Sequence, residues 1–120
     1  MPITTLTHRG KSILYTDYRG CQNDAEMLSL FHEAVEGILK ANQRVRTLNN
    51  FEGVSVSSEF METARKVGLT YKHLLIAKAI LGSTGIKKIF INTYSIFTGV
   101  KARAFEDQAA AMDYLASCDD

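Results

Sequence analysis

Cysteine and proline are scarce in this chain, and long apolar runs and an excess of one charge are missing. The 120 residues include two cysteines and one proline. Cys21 and Cys118 are too few for a disulfide framework. One bridge between them stays open beside the reading of two free thiols in a reducing compartment. Neither belongs to a Cys-x-x-Cys pair or sits next to a histidine; Cys21 falls near a helix start and Cys118 in a tail expected to fray. Pro2 interrupts no element. The longest apolar stretch, residues 74–81, is broken by Lys78 and falls far short of the roughly 20 residues that span a bilayer, so no membrane span is expected. The first eleven residues carry no apolar run of the kind a secretory signal needs, and a cytoplasmic location is the expectation. The net charge of +1 argues against a nucleic-acid binder, which shows a basic excess or stripe.

Motifs with a built-in mechanism are missing too. Residues 82–85 lack the spacing of a P-loop, and His8, His32 and His73 form no His-x-x-His or His-Glu-x-x-His pair. No Gly-x-Ser-x-Gly elbow supports a catalytic triad. Asp17, Asp24, Glu26 and Glu33 lie close in sequence, but acid–base work needs burial that separates their pKa values. No metal, cofactor or catalytic residue is expected.

What remains is an ordinary globular composition, 46% hydrophobic and 22% charged. The length suits one domain over residues 1–120, enough for one real core. Residues 3–7 and 12–18 read as strands joined through a turn at Gly10. Asn23 with Glu26 resembles a capping box. Leu28, Phe31, Val35, Ile38 and Leu39 then recur at helical spacing, giving a helix over 23–41 with Glu33, Glu36 and Lys40 on its wet side. Residues 44–48 form a short strand and 49–53 a loop. Ser57 or Ser58 caps a helix whose inner face carries Phe60, Ala64, Val67 and Tyr71. The apolar run over 73–81 fits a strand covered on both faces. Ile86, Ile89, Phe90, Thr93 and Phe97 repeat as a helix with Gly99 as its C-cap. A last strand over 100–105 precedes a helix over 107–117, with Glu106 or Asp107 at its positive end and Ala111 and Leu115 inward. The order β-β-α-β-α-β-α-β-α implies an α/β fold: a mixed, mainly parallel sheet of about five strands with four helices.

This order, Gly10-Lys11-Ser12-Ile13-Leu14-Tyr15-Thr16-Asp17-Tyr18-Arg19-Gly20, Gly82-Ser83-Thr84-Gly85-Ile86-Lys87-Lys88-Ile89 and Ala104-Phe105-Glu106-Asp107 before an Ala-rich helix resemble the STAS-like superfamily. Its small stand-alone SpoIIAA-like or STAS/SEC14-like branch is the nearest pattern. The resemblance covers the whole chain and implies a mixed sheet with helices, used for protein interaction or small-ligand binding. In anti-sigma factor antagonists of that superfamily, a serine or threonine in an Asp-Ser-Ser/Thr-Gly segment is phosphorylated. The matching stretch here is Asn50-Phe51-Glu52-Gly53, with Asn50 in place of the aspartate and Glu52 in place of the acceptor hydroxyl. Glu52 already carries a negative charge and cannot accept a phosphate from a serine kinase. Ser55, Ser57 or Ser58 offers a substitute acceptor near a helix start, or a plain cap.

Other features have two readings. Gly82, Ser83, Thr84 and Gly85 form an anion or ligand loop, with Lys87 and Lys88 just beyond, or an ordinary turn. Arg44, Arg46, Lys101 and Arg103 make a basic ridge on neighbouring strands, or edge charges that deter sheet pairing. Tyr15, Tyr18, Met27, Phe60, Met61, Phe90 and Phe97 line a pocket for a lipid-like molecule, or simply pack the core. The leading expectation is a non-enzymatic regulatory module contacting a protein partner or a second copy of itself as a homodimer. Asn50, Glu52, Gly53, Ser55, Ser57 and Ser58 would be its contact surface. The alternative is a carrier or sensor of a small apolar or anionic ligand.

Overall fold

The computed structural model describes residues 2–82 and 99–119. Strands β1 (Ile3–His8) and β2 (Lys11–Asp17) form an antiparallel hairpin. Its two-residue turn places Arg9 and Gly10 at φ 53° and 76°, the backbone twist that suits a tight hairpin. Helix α1 (Asp24–Ala41) starts as its sequence predicts: the Asn23 side chain accepts from the Glu26 amide, and the Glu26 carboxylate accepts from the Gln22 amide at 2.7 Å. It ends at Asn42 in the left-handed region, whose amide donates to the Ile38 carbonyl. Its buried face is Met27, Phe31, Ala34, Val35 and Ile38. That face is rotated from the predicted one, since Leu39 is 43% exposed.

Strand β3 (Val45–Asn50) runs two residues further than expected, because Asn49 and Asn50 pair with β2 on one side and β4 on the other. Helix α2 (Ser58–Tyr71) follows, then a 3₁₀ turn over Lys72–Leu74 and strand β4 (Leu75–Leu81). Strand β5 (Ala102–Phe105) and helix α3 (Gln108–Ser117) complete the described chain; the Asp107 side chain caps α3. The predicted helix over 86–97 lies outside the described residues, so three of the four predicted helices are described.

The sheet order is β1-β2-β3-β4-β5, with β1–β2 antiparallel and the remaining pairs parallel. The apolar run thus forms an interior strand, β4. One core layer joins the sheet to α1 and α2 through Phe31, Val35, Phe60 and Tyr71. The other joins it to α3 through Leu48, Ala77, Ala79, Ala111 and Leu115. Among the described residues, no helix is long and apolar enough to cross a membrane.

Two expectations fail on the α3 face. The basic ridge does not form, because β4 separates β3 from β5. Arg46 is instead buried, donating from Nε to the Leu115 carbonyl and from Nη2 to the Cys118 carbonyl, both at 2.8 Å. Those carbonyls lie at the C-terminal end of α3, where a cation also meets the helix dipole. Arg103 stacks over Phe105 and Tyr114. The C-terminal tail does not fray at Cys118, which is 7% exposed in the core, its thiol directed at the Tyr114 carbonyl. Both cysteines are free.

Candidate functional site

The C-terminal ends of β3 and β4 bring the segment that starts at Asn50 against Gly82. At the end of β3, the Asn50 side chain is buried. Its Nδ2 donates to the Tyr15 hydroxyl at 3.0 Å, and its Oδ1 accepts from the Glu52 amide at 3.0 Å. This is an Asx turn, in which a side-chain oxygen stands in for a backbone carbonyl. The Phe51 amide donates to the Leu81 carbonyl, and the Val54 amide to the Phe51 carbonyl. Gly53, at φ 70°, takes the turn position that needs a left-handed residue.

Aromatic packing holds the segment from the α1 and α2 side. Phe51 stacks on Tyr18 with centroids 4.3 Å apart, and Phe60 meets both rings edge-on. Ser57 is the cap of α2: its Oγ accepts from the Phe60 amide at 3.0 Å. Ser58 is the first helical residue, and Ser55 and Ser58 are exposed, as are Glu52 and Gly53.

Gly82 supports the segment from β4. Its φ is +81°, and a Cβ built there falls 2.6 Å from the Glu52 Cα and amide nitrogen. Two backbones therefore touch where a side chain cannot fit. Its amide donates to the Phe105 carbonyl at 3.3 Å. Ser83, Thr84 and Gly85 lie outside the described residues.

On the β2 side, Asp17 and Arg19 form a two-pronged ion pair, Nε–Oδ1 and Nη2–Oδ2 each 2.9 Å. The guanidinium holds the Asp17 carboxyl below its usual range, against a smaller opposing effect of burial. Arg19 is raised in turn, chiefly by Asp17 with a smaller share from Glu52. Beside them, burial pushes the Cys21 thiol up, aided by Glu26 and Asp17. A thiol so placed is a poor nucleophile. Burial also raises the Tyr18 hydroxyl. None of these shifts moves a group toward a working acid or base at neutral pH.

The remaining candidates are dispersed. His8 binds Asp113 at 2.7 Å, tying the hairpin to α3, while His32 and His73 are exposed. Among the described residues, no group of three metal-ligating side chains occurs. The aromatic set does not line one pocket. Tyr18, Met27 and Phe60 pack in the α1–α2 layer, and Tyr15 packs in the α3 layer. Phe90 and Phe97 lie outside the described residues. Sequence reasoning missed Tyr15 as the partner of Asn50, a pairing across strands that no local pattern encodes.

Two solved structures share this architecture. An uncharacterised protein of the DUF3478 family from Shewanella loihica, with a SpoIIAA-like fold, aligns with a TM-score of 0.61 at 18% identity over 94% of this chain and 91% of its own. The fold is STAS-like. An anti-sigma-factor antagonist (STAS) domain protein from Planctomyces limnophilus aligns with a TM-score of 0.55 at 17% identity, over 96% and 98% of the two chains. No family model and no curated protein matches the sequence. Among the described residues, strands consecutive in the chain are neighbours in the sheet, with no reversal of strand order, the point where open α/β sheets form a ligand crevice. The strand ends carry a braced surface segment instead.

Proposed function

We propose that this chain is a non-catalytic regulatory module that binds a protein partner through residues 50–58. One observation carries the reading. The segment is held from below by Asn50, Phe51 and Gly82, yet it presents Glu52, Gly53 and Ser55 to solvent. A preformed exposed loop loses little conformational entropy on binding. The resemblance to an anti-sigma-factor antagonist domain protein supports the same surface. Glu52 occupies the position of the phosphorylated hydroxyl in that pattern, so this module carries a permanent negative charge there and needs no kinase to acquire it. Ser57 is engaged as a cap; Ser55 and Ser58 are the hydroxyls left for modification.

The test places a photo-crosslinking amino acid at Ser55 and, as a control, at the exposed Glu36 of α1, in the native host. The expected result is a discrete adduct from position 55, none from 36, and loss of the adduct with Glu52→Lys. Equal labelling from both positions, or none from either, would refute the surface. The mass of the adduct distinguishes another protein from a second copy of this chain.

The lipid-carrier alternative has weaker support. Tyr18, Phe31, Phe51 and Phe60 fill the space between sheet and helices with one another.

A further inference from the structure

The described sheet has two edges, and they differ. Strand β5 is four residues long and carries the exposed Arg103; shortness and charge both keep an edge from pairing. Strand β1 has neither device. It is six residues long, and from Ile3 to Thr7 it is uncharged and rich in β-branched residues. Hydrogen bonds alternate along an antiparallel pair. The Asp17 amide donates to the Pro2 carbonyl, so the register sets the backbone of Thr4, Leu6 and His8 toward β2. The N–H and C=O groups of Ile3, Thr5 and Thr7 therefore point away from the sheet. Among the described residues, no backbone group pairs with them.

The same three residues turn their side chains to the α1 face, where Thr5 lies beside Leu14. Thr5 and Thr7 are exposed and Ile3 is half-buried. Helix α1 leaves a groove along this edge. Ile3, Thr5, Leu14 and Ala34 line an open space of about 310 Å³, bordered by Glu33 and Arg44. A second hollow of about 410 Å³ meets the first at Glu33 and reaches Pro2 and Glu26. Charge is sorted along the groove. Glu26 stands at the Pro2 end and Arg44 at the Ser12 end, because α1 crosses back from β2 to the parallel β3 and so runs in the direction of β1.

We propose that β1 pairs with β1 of a second copy of this chain, antiparallel and centred on Thr5, so that two sheets join into one. This register sets Thr5 opposite the partner copy's Thr5 and Ile3 opposite the partner copy's Thr7. About six hydrogen bonds between the chains then use every outward N–H and C=O of those residues. No charged side chain of β1 opposes its like, and a net charge of +1 gives the two copies little mutual repulsion. The two-fold axis also reverses α1, so the Glu26 end of one groove faces the Arg44 end of the other. Self-pairing register and charge match together favour a second copy over an unrelated strand. A six-residue contact is small for an interface, so the dimer is a weak one. The axis inverts strand direction, and the two 50–58 surfaces face opposite ways and stay free.

Sedimentation equilibrium of the full chain tests this. The mass is expected to rise from that of one copy toward two, with a midpoint on the order of 10–100 μM. Thr5→Lys sets like charges opposite each other across the axis and should weaken the dimer about tenfold or more. Glu52→Lys, on the other surface, should leave it unchanged. Amide hydrogen exchange reads the register: protection at Ile3, Thr5 and Thr7 should rise with protein concentration, while Thr4 and Leu6 stay protected throughout. If Thr5→Lys does not fold, the exchange pattern of the unaltered chain still decides. A chain that stays monomeric up to about 1 mM overturns the proposal. So does a dimer in which Ile3, Thr5 and Thr7 exchange as fast as in the dilute chain. Protection of those three amides that appears only in host extract would give the edge to another protein's strand and overturn it as well.

Discussion

Of the four described glycines with positive φ, Gly82 is the one at which an added methyl group meets another backbone. Its positive φ disfavours any side chain, and its Cβ position is occupied by the Glu52 backbone, which cannot swing aside as a side-chain tip does. Gly53 shares the positive φ, but a Cβ there meets nothing within 4 Å. The two sites separate strain from collision. Gly53→Ala is expected to cost about 1 kcal/mol, the price of a left-handed alanine, and Gly82→Ala about 3 kcal/mol or more. Urea unfolding of both variants checks this. Equal losses would mean that the two loops do not touch. Glu52 shows the reverse dependence: its side chain is exposed, so Glu52→Gln should leave stability nearly unchanged while altering whatever binds there.

At the scale of elements, the α2 start is a local device with a local cost. Ser57→Ala removes the side-chain acceptor of the Phe60 amide and is expected to destabilise by about 1 kcal/mol. Ser58→Ala, one position into the helix, should be nearly neutral. Amide hydrogen exchange localises the effect: protection at Phe60 and Met61 should fall in Ser57→Ala alone. The cap, the α1 capping box and the hairpin turn were legible in the sequence because each depends on residues within four positions. The end of β3 was not. Two consecutive asparagines read as a loop by propensity, yet both sit in the ladder. Asn50 is accommodated by Tyr15 from the neighbouring strand. Tertiary pairing outweighed a preference worth only a few tenths of a kcal/mol to about 1 kcal/mol.

For the whole molecule, carboxylates paired with cations set its response to acid, and one of them, Asp113, also ties α3 to the hairpin through His8. Asp17 is lowered chiefly by its hydrogen bond to Arg19, Asp113 by His8 and Glu62 by Arg65. A carboxyl with a lower pKa folded than unfolded binds fewer protons in the native state. Its stabilisation is therefore fully present above the unfolded value and is lost as pH falls through the folded value. Stability should hold level at neutral pH and decline below about pH 5. The decline should be modest, since Asp113 and Glu62 are about half exposed and solvent screens such pairs. Asp17→Asn should lower stability at pH 7 and flatten the acid limb. Urea midpoints at pH 7, 4.5 and 3 measure both. An unchanged acid slope in Asp17→Asn would show that the Arg19 pair does not persist in solution.

Among the described residues, the sequence by itself determined the kinds of element, their order and most of their ends, because hydrophobic period, caps and turn residues are properties of short stretches of chain. It also pointed to β4 as interior, since an apolar run broken only at Lys78 suits a strand covered on both faces. For that same reason it left open which face each residue of β3 and β4 meets. A strand buried on both sides shows no alternation to read. Only the tertiary structure decided that Arg46 turns toward the end of α3, that Thr47, Asn49 and Lys78 turn together beneath α1, and that the backbone at Gly82 supports the loop at Glu52. Each depends on the register between strands distant in sequence.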